Sequence, residues 1–109
     1  MDCVFCKIVK KELKAEIVYE NDYVVAFKDI HPKAAFHILI VPKKHIESVD
    51  KLEESDKELV GEMALAAKDI AKDNNIIGYK LVINVGRDGG QIVDHLHMHL
   101  LGGKPTELP

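Results

Sequence analysis

Short apolar segments and turn-forming residues alternate along the first part of the chain. Three such segments, residues 16–20, 23–27 and 36–41, are rich in β-branched and aromatic side chains, and turn-forming residues such as Asn21 and Pro42 follow them. This pattern predicts three consecutive β-strands.

The next region changes to a helical period. Between residues 55 and 75, apolar side chains recur at helical spacing and charged residues flank them: Leu59, Met63, Ala66, Ala67 and Ile70. Ser55 and Glu58 have the spacing of a capping box, in which each side chain accepts the other residue's free backbone N–H. We therefore expect a long helix that serves as packing scaffold.

Two more strands are predicted after the helix, at residues 79–85 and 91–101, with a glycine-rich turn at residues 86–90 between them. Strands, one long helix and strands again indicate an α+β fold, in which a mainly antiparallel meander sheet carries the helix on one face. No linker, repeat or low-complexity tract divides the chain, so residues 1–109 are expected to form a single domain with a short tail after Gly103.

The composition is ordinary for a globular protein, with 47% apolar and 30% charged residues among 109. The formal net charge is −3, so the chain lacks the basic character expected of a nucleic-acid-binding protein. No apolar run reaches the roughly 20 residues that a membrane helix needs, and no signal-peptide pattern is visible at the N-terminus. We expect a cytoplasmic protein with neither nucleic-acid nor membrane partners.

The last predicted strand carries three histidines in strict alternation. His95, His97 and His99 share one face of it, about 7 Å from one to the next, while apolar residues take the other face. Neutral imidazole is a nucleophile near neutral pH, and a neighbouring imidazolium can protonate a leaving amine. Backbone N–H groups of residues 86–90 are further candidates to bind a phosphate. A solvated strand face and a metal-binding row of histidines are the alternative interpretations.

Residues 95–101, His-Leu-His-Met-His-Leu-Leu, resemble the signature of the histidine triad family, His-φ-His-φ-His-φφ. Further segments, in order along nearly the whole chain, are similar to the Hint branch of that family: residues 4–8, 26–30, 37–46, 84–91 and 102–103. The combination is specific, and it implies the fold of that family.

The resemblance also implies residue roles. His97 matches the histidine that attacks the α-phosphate and forms a nucleotidyl-imidazole intermediate. His99 matches the one that binds the phosphate and assists the leaving group, and His37 matches a supporting histidine. The other matches are to residues that contact the nucleotide. Asp29 matches the carboxylate that binds the ribose. The apolar slot for the base is matched by Val4, Phe5, Ile8, Phe27 and Ile30, and the polar residues beside the phosphate by Asn84, Gly90 and Gln91.

Each of these matches has a plainer interpretation. The apolar slot residues and His37 are also what a protein core contains, and Asp29 is also suited to a simple turn before His31 and Pro32. Two positions depart from animal Hint proteins, because Ile92 and Asp94 replace a phosphate-binding serine and a tyrosine.

The implied activity is hydrolysis of purine nucleoside 5′-phosphoramidates, with AMP or GMP as the nucleotide part and no organic cofactor. A homodimer joined through the long helix and the adjoining strand is implied as well. Three other functions stay open: a dinucleoside polyphosphate hydrolase, a nucleotide-binding regulatory protein with vestigial catalysis, and a zinc-stapled nucleic-acid module, which the acidic charge disfavours.

Cys3 and Cys6 have a standard zinc-ligand spacing, and zinc requires two further ligands from elsewhere in the chain. Some microbial triad proteins complete such a site with the residues that match His45 and His95. The resemblance therefore implies a structural zinc site of these four residues. The alternative is that both cysteines are free packing residues and that His45 lies on the surface.

Overall fold

A five-stranded antiparallel sheet forms the centre of the protein in a computed structural model, which describes residues 3–103. The elements, in chain order, are α1 (Val4–Val9), β1 (Ile17–Glu20), β2 (Val24–Lys28), β3 (Phe36–Pro42), α2 (Lys57–Asp73), β4 (Tyr79–Val82) and β5 (Met98–Gly102). The α+β prediction is confirmed. The tail after Gly103 lies outside the described residues.

The strand order is β1-β2-β3-β5-β4. The first three strands form the expected meander, and α2 then carries the chain across to the far edge of the sheet, where β4 lies. β5 returns between β3 and β4, and it pairs with both, through Ile40 opposite Met98 and Val82 opposite His99. The strand that carries the end of the histidine row is therefore an interior strand of the sheet.

The two faces of the sheet have different partners because side chains alternate along each strand. One face packs against α2 and forms the larger core, from residues including Ile38, Ile40, Met63, Ile70, Leu96, Met98 and Leu100. The opposite face packs against α1 and forms a second cluster, from Cys3, Phe5, Ile8, Val25, Phe27, Leu39 and Val41. No helix among the described residues is long and apolar enough to span a membrane.

The start of α2 differs from the prediction. The capping box is formed by Glu53 and Asp56 at a short 3₁₀ turn before the helix, and not by Ser55 and Glu58. The buried Asp56 carboxylate accepts the backbone N–H of Glu53 at 2.9 Å and pairs with the Lys44 ammonium at 2.7 Å. This second partner, from a segment distant in sequence, selects the earlier capping position.

Two strands are shorter than predicted. β4 ends at Val82, and β5 begins only at Met98, so that residues 91–97 are irregular. The predicted alternation nevertheless extends into the irregular stretch, where Leu96 still lies in the core against α2. The six-residue helix α1 was not predicted, because it is too short to display a helical period.

Candidate active site

A cleft of about 1200 Å³ lies on the face of the sheet that carries α1. It is lined by all but one of the residues that the sequence assigned to catalysis and nucleotide contact: Val4, Phe5, Ile8, Phe27, Asp29, Ile30, His37, Asn84, Gly90, His97 and His99. Phe5, Ile8 and Phe27 are buried there, whereas Val4 and Ile30 are exposed. Its volume exceeds the roughly 300–1,000 Å³ of most small-ligand pockets, so it has room for a small organic ligand.

The ring of His97 is oriented by backbone. Its Nδ1 lies 2.7 Å from the carbonyl oxygen of His95, and because a carbonyl only accepts, this nitrogen carries the hydrogen. Nε2 of the neutral ring is therefore left with its lone pair. The ring of Phe5 packs edge-on against His97, with 5.1 Å between ring centroids. His97 is thus held in the form that acts as a nucleophile through Nε2.

His99 is held with the opposite hydrogen position. The backbone N–H of Lys33 donates to Nδ1 of His37 at 2.9 Å, so the hydrogen of the neutral His37 ring is on Nε2. That Nε2–H donates to Nδ1 of His99, also at 2.9 Å. The remaining hydrogen of His99 is then on Nε2, where it is available to a ligand.

Burial keeps both rings of this pair neutral at pH 7. It lowers the pKa of His99 to about 4, and the neighbouring His97 and His37 act in the same direction. Burial also lowers the pKa of His37, partly opposed by the nearby Asp29 carboxylate. The hydrogen-bond chain from Lys33 through His37 to His99 requires both rings to be neutral, and the lowered pKa values are consistent with this.

Asp29 stabilises the turn after β2 and also lines the cleft. One carboxylate oxygen accepts the backbone N–H of His31 at 2.8 Å, and the other lies 3.4 Å from Nε2 of His37. Asp29, His37 and His99 bring three possible metal-ligand atoms together. Because Nε2 of His37 carries a hydrogen, it has no lone pair for a cation, so the chemistry of this set is that of a proton-donating chain.

A second cluster contains the four predicted metal ligands: Cys3, Cys6, His45 and His95. Nδ1 of His95 lies 3.2 Å from Sγ of Cys3 and 3.5 Å from Sγ of Cys6. Nδ1 of His45 lies 3.2 Å from Sγ of Cys6 and 3.1 Å from Nδ1 of His95. Tetrahedral zinc with these ligands has edges of roughly 3.4–3.8 Å, so the four atoms are nearly at zinc spacing.

The surroundings of this cluster also fit a cation. Nε2–H of His95 donates to the Pro42 carbonyl at 2.9 Å, which leaves the Nδ1 lone pair directed at the cluster. Burial and the adjoining Cys3 raise the pKa of the Cys6 thiol to about 11, a shift that a bound dication reverses. The ring of His45 faces the cluster through Nδ1, and its buried Nε2, on the other side of the ring, has no hydrogen-bond partner among the described residues.

Gln91 lies apart from the other predicted nucleotide contacts. It is buried, does not line the cleft, and uses its whole side-chain amide in bonds within the protein. Its side chain reaches inward, toward Glu47 and Ser48, so the structure does not bring it to the cleft, and its contact with a phosphate stays a prediction. No sequence signal distinguishes an inward from an outward amide at this position.

The backbone N–H groups of the glycine-rich turn are less available to a ligand than expected. Gly86, Gly89 and Gly90 each use the backbone N–H in a bond within residues 86–91, so these groups are not free for a phosphate. Gly90 has a φ of +91°, and a Cβ there would lie 3.4 Å from the Asn84 amide nitrogen, which explains the glycine.

The residues that differ from animal Hint proteins lie at this turn. Asp94 pairs with Arg87 through both carboxylate oxygens, at 2.9 and 3.1 Å. Ile92 is exposed and lines the cleft. Four lysines also line it, although the chain is acidic overall: Lys14, Lys28, Lys33 and Lys80. Sequence reasoning missed this basic lining because the four are scattered along the chain.

Comparison with known proteins places these features in context. A family model described as the scavenger mRNA decapping enzyme C-terminal binding domain matches residues 2–107. A purine nucleoside phosphoramidase of Escherichia coli is 43% identical, over 95% of this chain and 89% of that protein.

Two solved structures share the whole fold. The crystal structure of a HIT family hydrolase from Legionella pneumophila has a TM-score of 0.94 at 43% identity, covering 99% of this chain and 98% of that one. A histidine triad protein from Clostridium difficile has a TM-score of 0.96 at 41% identity, covering 100% and 96%. The resemblance inferred from the histidine row is confirmed.

Proposed function

The chain belongs to the histidine triad family of hydrolases, and from that premise we propose that it cleaves purine nucleoside 5′-phosphoramidates through a nucleotidyl intermediate on His97. The observation that carries the proposal is the opposite hydrogen position of two neighbouring imidazoles. His97 presents a lone pair on Nε2, and His99 presents an N–H on Nε2. A displacement at phosphorus needs both a nucleophile and a proton donor for the leaving amine.

The reaction proceeds in two displacements. Nε2 of His97 attacks the α-phosphorus, the nitrogen–phosphorus bond to His97 forms, and the bond to the leaving amine breaks. The negative charge of the bound phosphate raises the pKa of the His37–His99 pair, which takes up a proton and passes it to the departing nitrogen. Water then attacks the intermediate, its proton goes to the same pair, and His97 is released.

The cleft supplies binding for the rest of such a substrate. Buried apolar side chains, among them Phe5 and Phe27, offer a slot for the base. The Asp29 carboxylate suits ribose hydroxyls, and the lysines that line the cleft suit an anionic ligand.

Turnover of three substrates tests the proposal: adenosine phosphoramidate, guanosine phosphoramidate and a diadenosine polyphosphate. We expect release of amine from one or both phosphoramidates. Faster cleavage of the diadenosine compound would assign the protein to dinucleoside polyphosphate hydrolysis instead. Nucleotide binding without any turnover would indicate the regulatory alternative.

We further propose that Cys3, Cys6, His45 and His95 hold a structural zinc ion. The support is a donor set of two thiols and two imidazole nitrogens at nearly tetrahedral spacing, with the His95 ring oriented by its bond to the Pro42 carbonyl. Such an ion would fix the position of α1, because it would join this helix to the stretch that leads to His97. Two reduced thiols in that role also favour a reducing compartment, and we place the protein in the cytoplasm on this ground.

A homodimer is the third part of the proposal. β4 is an edge strand, and on it Tyr79 and Leu81 are exposed on the face of the sheet that α2 covers. Leu65 on α2 is exposed as well. An edge strand next to exposed apolar side chains suits pairing of the same surface on two chains.

A further inference from the structure

We propose that Ser48 and Gln91 form a buried positioning pair, which holds residues 91–97 in place for the chemical step. The inference rests on the proposed function, because this stretch carries His97 and the carbonyl that orients it. Neither residue touches the cleft, so both act through the backbone they hold.

The side-chain amide of Gln91 is saturated with hydrogen bonds. Its oxygen accepts from the Ser48 hydroxyl at 2.7 Å and from the backbone N–H of Gly86 at 3.0 Å. Its nitrogen donates to the carbonyls of Glu47 at 2.7 Å and Val93 at 2.9 Å. Two donors and two acceptors fix which end of the amide is oxygen, so the group has a single orientation.

Ser48 is the only side chain among these four partners. It is buried, and its hydroxyl hydrogen is committed to Gln91. The other partners are backbone groups of the two segments that the amide connects. Ser48 is therefore the one partner that a substitution removes without altering the backbone.

The stretch that this pair holds is supported from outside the sheet, in part by the Arg87–Asp94 pair and by the His95 ring, which donates to the Pro42 carbonyl. β5 begins at Met98, so sheet hydrogen bonds of that strand do not hold residues 91–97. Residues 46–48 hold it from the side instead. The N–H of Leu96 donates to the Ile46 carbonyl at 2.6 Å, and Gln91 binds Glu47 and Ser48 at the other end.

The position of residues 91–97 matters because a backbone carbonyl in this stretch determines which nitrogen of His97 carries the hydrogen. The carbonyl of His95, within the same stretch, accepts the Nδ1 hydrogen of His97. A displacement of about 1 Å at a reacting group can cost on the order of a hundredfold in rate. The apolar base slot is built mainly from α1 and β2, and residues 91–97 add only Ile92, Val93 and His97 to the lining of the cleft. Loosening this stretch should therefore affect nucleotide binding much less than the chemical step.

Ser48→Ala tests the inference. We expect kcat on adenosine phosphoramidate to fall by about tenfold or more, while KM and the Kd for AMP stay within about twofold. Ser48→Thr keeps the hydroxyl and should restore most of kcat. Ser55→Ala is the matched control, because Ser55 is the other serine of the chain and is exposed. Gln91→Met removes all four bonds, so adding Ser48→Ala to it should cost little more.

The outcomes separate the two proposals. A wild-type protein without phosphoramidase turnover would overturn the proposed function, and this inference with it. An active wild type with Ser48→Ala unchanged in kcat would overturn the inference alone. The same holds if KM rises at constant kcat, if Ser48→Thr is as slow as Ser48→Ala, or if the effects of Ser48→Ala and Gln91→Met simply multiply.

Discussion

His97 and His99 are two residues apart, yet their hydrogen-bond partners give the two rings opposite hydrogen positions. The decisive partners are backbone groups: the carbonyl of His95 for one ring, and the N–H of Lys33, acting through His37, for the other. Residue type alone therefore indicates that imidazoles are present, while the surrounding backbone determines what each of them can do.

Acid should destabilise the protein through His99. The pKa of this ring is about 4 in the folded state, against about 6.5 in an unfolded chain. Between these pH values the unfolded state binds a proton that the folded state excludes, so the free energy of unfolding falls as the pH falls. Urea denaturation of wild type and His99→Gln at several pH values from 7 to 4 measures this contribution.

The contribution of His99 is the difference in unfolding free energy between wild type and His99→Gln, because any loss of metal at low pH affects both proteins. We expect the unfolding free energy of wild type to fall more steeply than that of His99→Gln below about pH 6.5. Parallel curves over this range would show that the buried ring contributes nothing to the pH dependence.

Helix α1 depends on contacts outside itself. A six-residue helix has almost no stability of its own. Helix α1 contributes Cys6, and its N-cap residue Cys3, to the four-residue cluster, and it packs Phe5 and Ile8 on the sheet. The second core, together with the proposed zinc site, holds it beside the cleft.

Zinc is accordingly expected in protein purified without added metal, at about one ion per chain. Removing it with a chelator, or by Cys6→Ser, should lower Tm, because a structural ion contributes folding free energy. Amide hydrogen exchange should increase first in α1, whose N–H groups include that of Lys7 bonded to the Cys3 carbonyl. A preparation free of metal with unchanged Tm and exchange would exclude the site.

Elements with strong local patterns were predictable from the sequence, and those that depend on distant partners were not. The apolar segments located β1, β2 and β3 to within a few residues. The alternation of polar and apolar residues correctly predicted that Leu96, Met98 and Leu100 lie in the core.

The errors have a common cause. The capping box lies at the 3₁₀ turn before α2, where Lys44 binds the Asp56 carboxylate. Residues 91–97 are irregular where Gln91 and Leu96 bind residues 46–48. Neither partner is visible in the local sequence. In the site, the resemblance to the histidine triad family indicated which residues would meet, whereas the inward orientation of Gln91 required the fold.

The sheet as a whole divides the molecule into a structural side and a chemical side. α2 and the larger core cover one face, and α1, the cluster of two cysteines and two histidines, and the cleft lie on the other. This division leaves α2 and the edge strand β4 available for assembly without obstructing the cleft.

Leu81→Lys should therefore disrupt the proposed homodimer, because it places a charge among exposed apolar residues of β4. Sedimentation of wild type at micromolar concentration should give twice the mass of one chain, and the variant should give a single chain. Val18→Lys is the matched control, since Val18 is an exposed apolar residue on the opposite edge strand β1. A monomeric wild type would contradict the proposal.

The most direct test of the central claim is to trap the intermediate on His97. Wild-type protein is mixed with adenosine phosphoramidate, quenched within milliseconds under basic conditions, and analysed by peptide mass spectrometry. We predict an adenylyl group on the His97 peptide that forms and decays fast enough to account for turnover. His97→Ala should show no adduct and lose several orders of magnitude in kcat, because no other side chain replaces the nucleophile. If His97→Ala keeps kcat within about tenfold of wild type, a difference of about 1.4 kcal/mol in barrier, then water attacks phosphorus directly and the account is contradicted.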